Sequence, residues 1–230
     1  MDEYKKPGVV KKPLLRINMA QSLNGHTIEP DGKWTLGSAE DKKRMDKLRL
    51  WADCLIASRR SIENDNPNLF ARSKPGARQP VPVVVMSNLS RKISETSRIF
   101  LPPHPVGEFW VCGKTAPDIA QIVEEPRDSR ASKWRVFHFQ NVREIYDSLA
   151  GRNFYKILLE GGPSLNGYFF RENLIDEIFF TMVPCVWGGK NFDRIIVSPE
   201  TLDIGKFRLI NLERRGDEVF FRYKKIRSRQ

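Results

Sequence analysis

The chain is poor in cysteine and histidine, with three of each in 230 residues. Cys54, Cys112 and Cys185 lie far apart and show no C-x-x-C spacing, so they read as reduced thiols in or near a core and not as a zinc set. His26, His104 and His138 never pair at ligand spacing, and His138 reads as a core or surface histidine within a strand; no metal centre is expected. No stretch approaches the roughly 20 apolar residues of a membrane-spanning helix. The opening MDEYKKPGVVKKP is charged and lacks the apolar centre of a secretory signal, so a cytoplasmic protein is expected. Neither a G-x-S-x-G elbow nor a Walker lysine motif occurs. Pro184-Cys185 has no second cysteine nearby and no H-x-E precedes it, which excludes zinc deamination on ligands alone.

Charge is plentiful but not concentrated. Lys and Arg number 39 against 28 Asp and Glu, a net +11. The basic pairs and triplets at 5–6, 11–12, 42–44, 59–60, 214–215 and 224–225 are spread along the chain, and none grows into a block of five or six. With no RNP1 or zinc-finger motif, nucleic acid is the minority expectation; a phosphorylated small ligand suits a basic surface as well.

The remaining 40% apolar residues are enough for one core. The stretch KILLEGGPSLNG, Lys156 to Gly167, organises the rest. Lys156 to Leu159 has the length of a buried strand. Glu160 closes it, Gly161 and Gly162 make a turn, and Pro163 suits the first turn of a helix. Leu165, Tyr168 and Phe169 continue the apolar face of that helix, with Leu174 and Ile175 carrying it on. A strand, a Gly-Gly turn and a helix N-terminus suit a phosphate, although an ordinary tight turn has the same pattern. An acid at the strand's carboxyl end favours a site, because ligands of open α/β sheets gather there.

Taken in order, residues 1–12 read as a flexible basic arm and 13–230 as one domain. Strands are expected at 14–19, 53–57, 81–86, 109–112, 134–139, 156–159 and 177–183, and an antiparallel pair at 207–212 and 218–226. Helices are expected from Ser38, which caps in a weak capping box with Asp41, at 118–123, at 142–149 and after Gly162. Met45, Leu48 and Trp51 share one helix face. Ser22-Leu23-Asn24-Gly25 is a turn, and Ser58 to Arg72 is expected as a polar loop. The alternation implies an α/β domain: a mostly parallel central sheet flanked by helices, with a C-terminal antiparallel hairpin. Four polar stretches, Ser22–Gly25, Trp34, Ser61–Arg72 and Glu160–Tyr168, are expected to meet on one sheet edge.

These motifs resemble a known family. Ser22-Leu23-Asn24-Gly25, Trp34, Lys47-Leu48-Arg49, Ser61-x-x-x-Asp65-x-Pro67-x-Leu69-x-x-Arg72, and Glu160 to Gly167 with Leu174-Ile175-Asp176-Glu177 behind it occur in the order and spacing of the reductase half of the bacterial bifunctional riboflavin-biosynthesis deaminase–reductase. The resemblance runs from about Leu14 to the C-terminus and implies a dihydrofolate-reductase-like fold, NADPH as cofactor, a phosphorylated ribosylaminopyrimidine substrate and a homodimer. By match, Ala20, Trp34, Ser61, Asp65, Ser87 and Gly161 through Tyr168 (Gly161, Gly162, Pro163, Ser164, Leu165, Asn166, Gly167 and Tyr168) fall at cofactor positions. Arg49, Leu69, Arg72 and Glu160 fall at substrate positions, and two arginines suit a 5′-phosphate. The implied reaction reduces a ribosyl C1 to ribityl; Asp65, Glu160, or water held by either supplies the proton. Asn24 and Asn66 stand where the family carries aspartate, and Arg59-Arg60 stand where many relatives carry small residues; these two guanidiniums either grip a cofactor phosphate or obstruct it. The alternatives are a related reductase for another pterin-like or carbonyl substrate, and a catalytically silent basic binding protein on the same fold.

Overall fold

The computed structural model describes residues 12–29, 37–74, 76–87, 92–100, 106–113, 119–123, 133–188 and 194–227. The expected basic arm at 1–12 therefore lies, all but its last residue, outside the described residues, as does Trp34.

Among the described residues, nine strands form one sheet: β1 (Leu14–Ser22), β2 (Cys54–Ser58), β3 (Val81–Met86), β4 (Gly107–Cys112), β5 (Trp134–Phe139), β6 (Lys156–Leu159), β7 (Glu177–Val183), β8 (Phe207–Arg215) and β9 (Glu218–Lys225). Their order is β5-β4-β3-β2-β6-β1-β7-β9-β8. The first seven in this order are parallel, and β9 and β8 add antiparallel partners at one edge. This is the mostly parallel sheet with a closing hairpin that the alternation of elements implies. The central strands are apolar runs because both faces are covered; Ile157, Leu158 and Leu159 of β6 are all buried.

Five helices among the described residues cover the sheet: α1 (Ala39–Trp51), α2 (Arg59–Asp65), α3 (Ile119–Ile122), α4 (Val142–Ser148) and α5 (Pro163–Arg171). Leu48, Ile62 and Ile122 from α1, α2 and α3 join one core with Leu55, Val84 and Phe109. Ile145 and Phe169 from α4 and α5 join the other, with Leu15, Ile17 and Trp110.

Three local expectations are corrected. First, the segment expected as a loop from Ser58 to Arg72 begins with α2. Ser58 Oγ accepts from the Ser61 N–H, and Asn66 ends the helix in the left-handed region at φ 42°, where asparagine is tolerated. Ile62 alone gives it an apolar anchor, so no helical period shows in the sequence. Second, Leu174 and Ile175 do not extend α5. Asn173 turns the chain at φ 61°, and both residues pack into the core beyond the helix. Third, Ser38 does cap α1, accepting from the Glu40 and Asp41 N–H groups, but Asp41 does not complete a capping box. Glu218 of β9 takes that place, accepting from Ser38 N at 2.9 Å and Ser38 Oγ at 2.5 Å.

Helix α1 also buries charge. Asp46 and Arg49, one turn apart, grip the segment after α2 by opposite backbone polarities. Asp46 accepts from the Arg72 and Ser73 N–H groups at 3.1 and 2.8 Å. Arg49 Nη1 donates to the Asn68 and Phe70 carbonyls at 2.8 and 2.9 Å.

Candidate active site

Adjacent strands β2 and β6 send their chains to opposite sides of the sheet, β2 through α2 toward β3 and β6 through α5 toward β7. That divergence opens a crevice at their carboxyl ends, where open α/β sheets bind ligands. A cavity of about 650 Å³ lies there. Ser58 at the end of β2, Ser87 after β3, Cys112 of β4, Gln140 after β5 and Glu160 after β6 all line it.

At the crevice the two βα turns touch. Gly162 sits at φ 76°, ψ 148°, close to a region that only glycine enters freely. A Cβ on it would lie 3.0 Å from Ser58 Oγ and 3.2 Å from Ser61 Oγ, and these two hydroxyls are themselves 2.9 Å apart. No side chain caps α5, so its first N–H groups and those hydroxyls form a cradle of donors suited to an anion. Gly161 is needed for a different reason: a Cβ there would meet Leu165 Cδ2 at 2.8 Å and the β2 backbone at 3.0–3.1 Å.

One residue before the glycines, Glu160 meets Arg49 in a two-point pair: Nε to Oε1 at 3.0 Å and Nη2 to Oε2 at 2.6 Å. Arg49 thus places its fork on Glu160 and on two carbonyls. It holds the carboxylate and the wall of the cavity.

Of the residues singled out in the sequence, Arg49, Ser61, Asp65, Leu69, Ser87, Glu160, Gly162, Pro163, Ser164, Leu165 and Tyr168 line the cavity. Ala20 does not; it is 1% exposed within the sheet. Asn166 and Gly167 lie on the far side of α5. Asn166 Nδ2 donates to Ile195 O at 2.8 Å, and a Cβ on Gly167 would collide with Val197 O. The alternate face of a helix cannot reach the same ligand, so these two pack the chain after β7. Gly161 packs β2 against β6, as above, and Arg72 is exposed beside the cavity.

The Ser22–Gly25 turn is also set back. Ser22 Oγ donates to Asn24 Oδ1, and Asn24 Nδ2 donates to Trp187 O at 2.8 Å. An aspartate has no donor for that second bond. Trp187 in turn holds Ile28 O and lies stacked 5.8 Å from His26, and it is the returning Thr27 and Ile28 that reach the cavity. Asn66 likewise serves the backbone, accepting from Ser97 Oγ and Arg98 N. Arg59 and Arg60 both line the cavity. Arg59 is buried and donates through Nε to Glu63 Oε1 at 2.9 Å, whereas Arg60 is exposed.

Sequence reasoning missed Asn18, Met45, Thr27, Ser58, Cys112, Gln140 and Asn141 among the lining residues. Gln140 and Asn141 follow a strand and open a helix that Asn141 caps, a signal legible beforehand. Asn18 neighbours a buried polar group in which Arg44 Nη2 donates to Thr181 Oγ1 at 2.9 Å and Thr181 donates to Asp41. Burial brings the Arg44 guanidinium down to about 10, against the pull of Asp41, and pushes the Asp41 carboxyl up. Burial, helped by the nearby Glu144 charge, pushes the Cys112 thiol up to about 11. Among the described residues, no three His, Cys, Asp or Glu side chains form a group that could hold a metal, and no helix is long and apolar enough to cross a membrane.

A parallel sheet closed by an antiparallel hairpin, with a cleft at the carboxyl ends of β2 and β6, defines a dihydrofolate-reductase-like fold. The dihydrofolate reductase of Enterococcus faecalis, solved in complex with NADP(H) and RAB-propyl, superposes with a TM-score of 0.51 at 14% identity, covering 92% of this chain and 96% of that one. Residues 13–221 match the model of the RibD C-terminal domain, and the chain belongs to that family. It is 24% identical over 201 residues to the 2,5-diamino-6-ribosylamino-4(3H)-pyrimidinone 5′-phosphate reductase of Methanothermobacter thermautotrophicus, covering 84% of this chain and 87% of that one. Acinetobacter baumannii RibD superposes with a TM-score of 0.74 at 20% identity; the match covers 94% of this chain but 58% of that longer protein.

Proposed function

We propose that this chain is an NADPH-dependent reductase of riboflavin biosynthesis, converting the ribosyl group of 5-amino-6-(5-phosphoribosylamino)uracil, or of its diaminopyrimidinone analogue, to ribityl. The observation that carries this reading is the junction at Glu160–Gly162. There a donor cradle suited to a dinucleotide phosphate adjoins a carboxylate suited to the N–H and O–H donors of a sugar-pyrimidine.

The residues present fit the cofactor. The space over Gly162 that any side chain would fill is bounded by the Ser58 and Ser61 hydroxyls, as a pyrophosphate requires. Ser58, Ser61, Gly162, Ser164 and Leu165 would hold the phosphates, Ser87 and Tyr168 the flanking groups, and Arg60 a further phosphate. When bound, NADPH supplies the hydride. The protein's own part is to orient and to protonate. Arg49 fixes both Glu160 oxygens, so Glu160 orients the substrate by accepting its hydrogen bonds. Asp65, exposed at the end of α2 and lining the cavity, is placed to hold a water that delivers the proton. Leu69 and Met45 supply apolar wall for the pyrimidine. Asn24 and Asn66, which stand where the family carries aspartate, lie off the cavity lining, which supports the riboflavin-type substrate over a related reductase for another substrate.

A cytoplasmic homodimer goes with this reading. Edge strand β8 exposes Leu209, Ile210 and Leu212, the last 54% exposed, and an apolar edge of this kind asks for a partner. Sedimentation of the wild type and of Leu212→Lys reads it: a monomeric wild type removes the dimer.

The deciding experiment is titration with NADPH and NADH, followed by nicotinamide fluorescence. Micromolar NADPH binding with weaker NADH binding is expected. Failure of both to bind overturns the reductase.

A further inference from the structure

A buried amide on the central strand β1 keeps half of its hydrogen bonding for the cavity. Asn18 is 8% exposed and lines the cavity, as do Met45 and Arg49 of α1. It sits opposite Phe179 of β7 and so shares a sheet face with Thr181, two residues on. Its Oδ1 accepts from Arg44 Nη2 at 3.4 Å. Among the described residues no acceptor takes the protons of its Nδ2.

Chemistry sets the direction of this amide. A guanidinium has donors only, so Arg44 draws Oδ1 and turns Nδ2 away. Burial brings Arg44 down only to about 10, so it is cationic at neutral pH. Arg44 is itself held in place. Nη2 donates to Thr181 Oγ1 at 2.9 Å, Nη1 donates to Phe180 O at 3.3 Å, and the Thr181 hydroxyl donates to Asp41 Oδ1. The guanidinium also lies 4.8 Å from the centre of the Phe220 ring. Yet Arg44 Nε is buried with no partner among the described residues. A cluster that leaves a buried donor unmade is a poor stabiliser; what it does provide is a fixed amide.

A buried donor asks for an acceptor, and the cavity is where Nδ2 can meet one. Arg49, the arginine on this wall, is committed to Glu160 and to two carbonyls. The Glu160 carboxylate offers acceptors. Asn18 therefore supplies a neutral donor to a wall that otherwise presents acceptor oxygens and apolar surface.

We infer that Asn18 donates through Nδ2 to a carbonyl oxygen of the pyrimidine, and that Arg44 is the positioning residue that fixes this direction. Glu160 accepting and Asn18 donating suit the N–H and C=O edge of a lactam ring. The inference deepens the proposed function and rests on it for the identity of the ligand.

The test is calorimetric titration of 5-amino-6-(5-phosphoribosylamino)uracil, and of ribose 5-phosphate, which lacks the ring. The proteins are wild type, Asn18→Ala, Asn18→Asp, Arg44→Met and the Asn18→Ala/Arg44→Met double variant, with NADPH titrated in parallel. Both Asn18 variants should lose about tenfold in affinity for the ring-bearing probe, the scale of one hydrogen bond. Their affinities for ribose 5-phosphate and NADPH should not change. Asn18→Asp keeps the shape and the partner of Arg44, so its loss reports the donor and not the fold. Arg44→Met should weaken the ring-bearing probe alone, and should add nothing in the Asn18→Ala background; a merely structural arginine would give additive losses. Wild-type affinity for the ring-bearing probe in Asn18→Asp overturns the inference, as does a loss that falls equally on ribose 5-phosphate or on NADPH. Additive losses overturn the role of Arg44. NADPH binding by the wild type judges the reductase separately, so either reading can fail while the other stands.

Discussion

Arg49 and Glu160 face each other in a planar two-point pair, their side chains only 4% and 11% exposed. One belongs to the last turn of α1 and the other to the carboxyl end of β6, so the pair ties a helix to the strand end where the cavity opens.

Breaking this pair from either side should cost stability as well as turnover. Arg49→Met leaves a buried carboxylate without its partner, a loss of ~3–5 kcal/mol by the usual scale for such pairs. Glu160→Gln keeps the shape but leaves the guanidinium unbalanced, and it should abolish turnover because the charge and one of the two acceptor oxygens are replaced by an N–H donor. Urea denaturation of Arg49→Met, Glu160→Gln and the double variant reads the coupling. Strictly additive losses would mean that the two side chains do not act as a pair.

Gly162 and Gly25 both have positive φ, at 76° and 87°, but only Gly162 faces atoms that an added methyl would press on. Gly25→Ala should therefore cost about 1 kcal/mol of backbone strain and leave NADPH affinity alone. Gly162→Ala should cost at least as much and also weaken NADPH, and Gly162→Val more so. Thermal melts and cofactor titration of the three variants separate strain from obstruction. Unchanged NADPH affinity in folded Gly162→Val removes the phosphate role of the turn.

Cys112 lines the cavity, and its thiol is held up at about 11, chiefly by burial, where an unfolded cysteine sits at 9.0. A raised native value means that the fold favours the protonated thiol. That contribution is whole below pH 9 and is lost as pH rises from 9 toward 11. Because the thiolate is the nucleophile, alkylation of Cys112 in the native protein should still accelerate between pH 9 and 10, while in urea it levels off. Peptide mapping after iodoacetamide pulses measures both. A native rate that is flat above pH 9 contradicts the assignment.

Much of the architecture was legible because the strands speak plainly. Val81 to Met86 and Ile157 to Leu159 are uninterrupted apolar runs, and buried parallel strands produce such runs. Helix α2 was not legible by period, since Ile62 is its main buried apolar residue, with Arg59 the other buried position; its ends, Ser58 and Asn66, carried the signal instead. Leu174 and Ile175 looked helical because they are apolar, and only the capping Glu172 and the left-handed Asn173 separate them from α5.

In the site, the rule that parallel strands gather loops at their carboxyl ends pointed to the stretches 61–72 and 160–168, within which the family resemblance placed Ser61, Leu69, Glu160 and Gly162. It could not tell which face of α5 each residue of the 161–168 run takes, so Asn166 and Gly167 were included with residues they do not join. The meeting of Arg44 with Asn18 joins residues 26 positions apart through a fold, and no local spacing announces it.

The grip of Asp46 and Arg49 on the segment after α2 has a consequence for how such a site diversifies. The wall bearing Leu69 and the arginine at 72 is fastened to α1, whereas the glycine cradle is fastened to the strand ends. Arg49 of α1, however, also pairs with Glu160 at the end of β6, next to that cradle. One helix therefore mounts both halves of the cleft. A substitution on α1 that shifts one wall shifts the other with it, so a change of ligand on one side has to be accommodated on both.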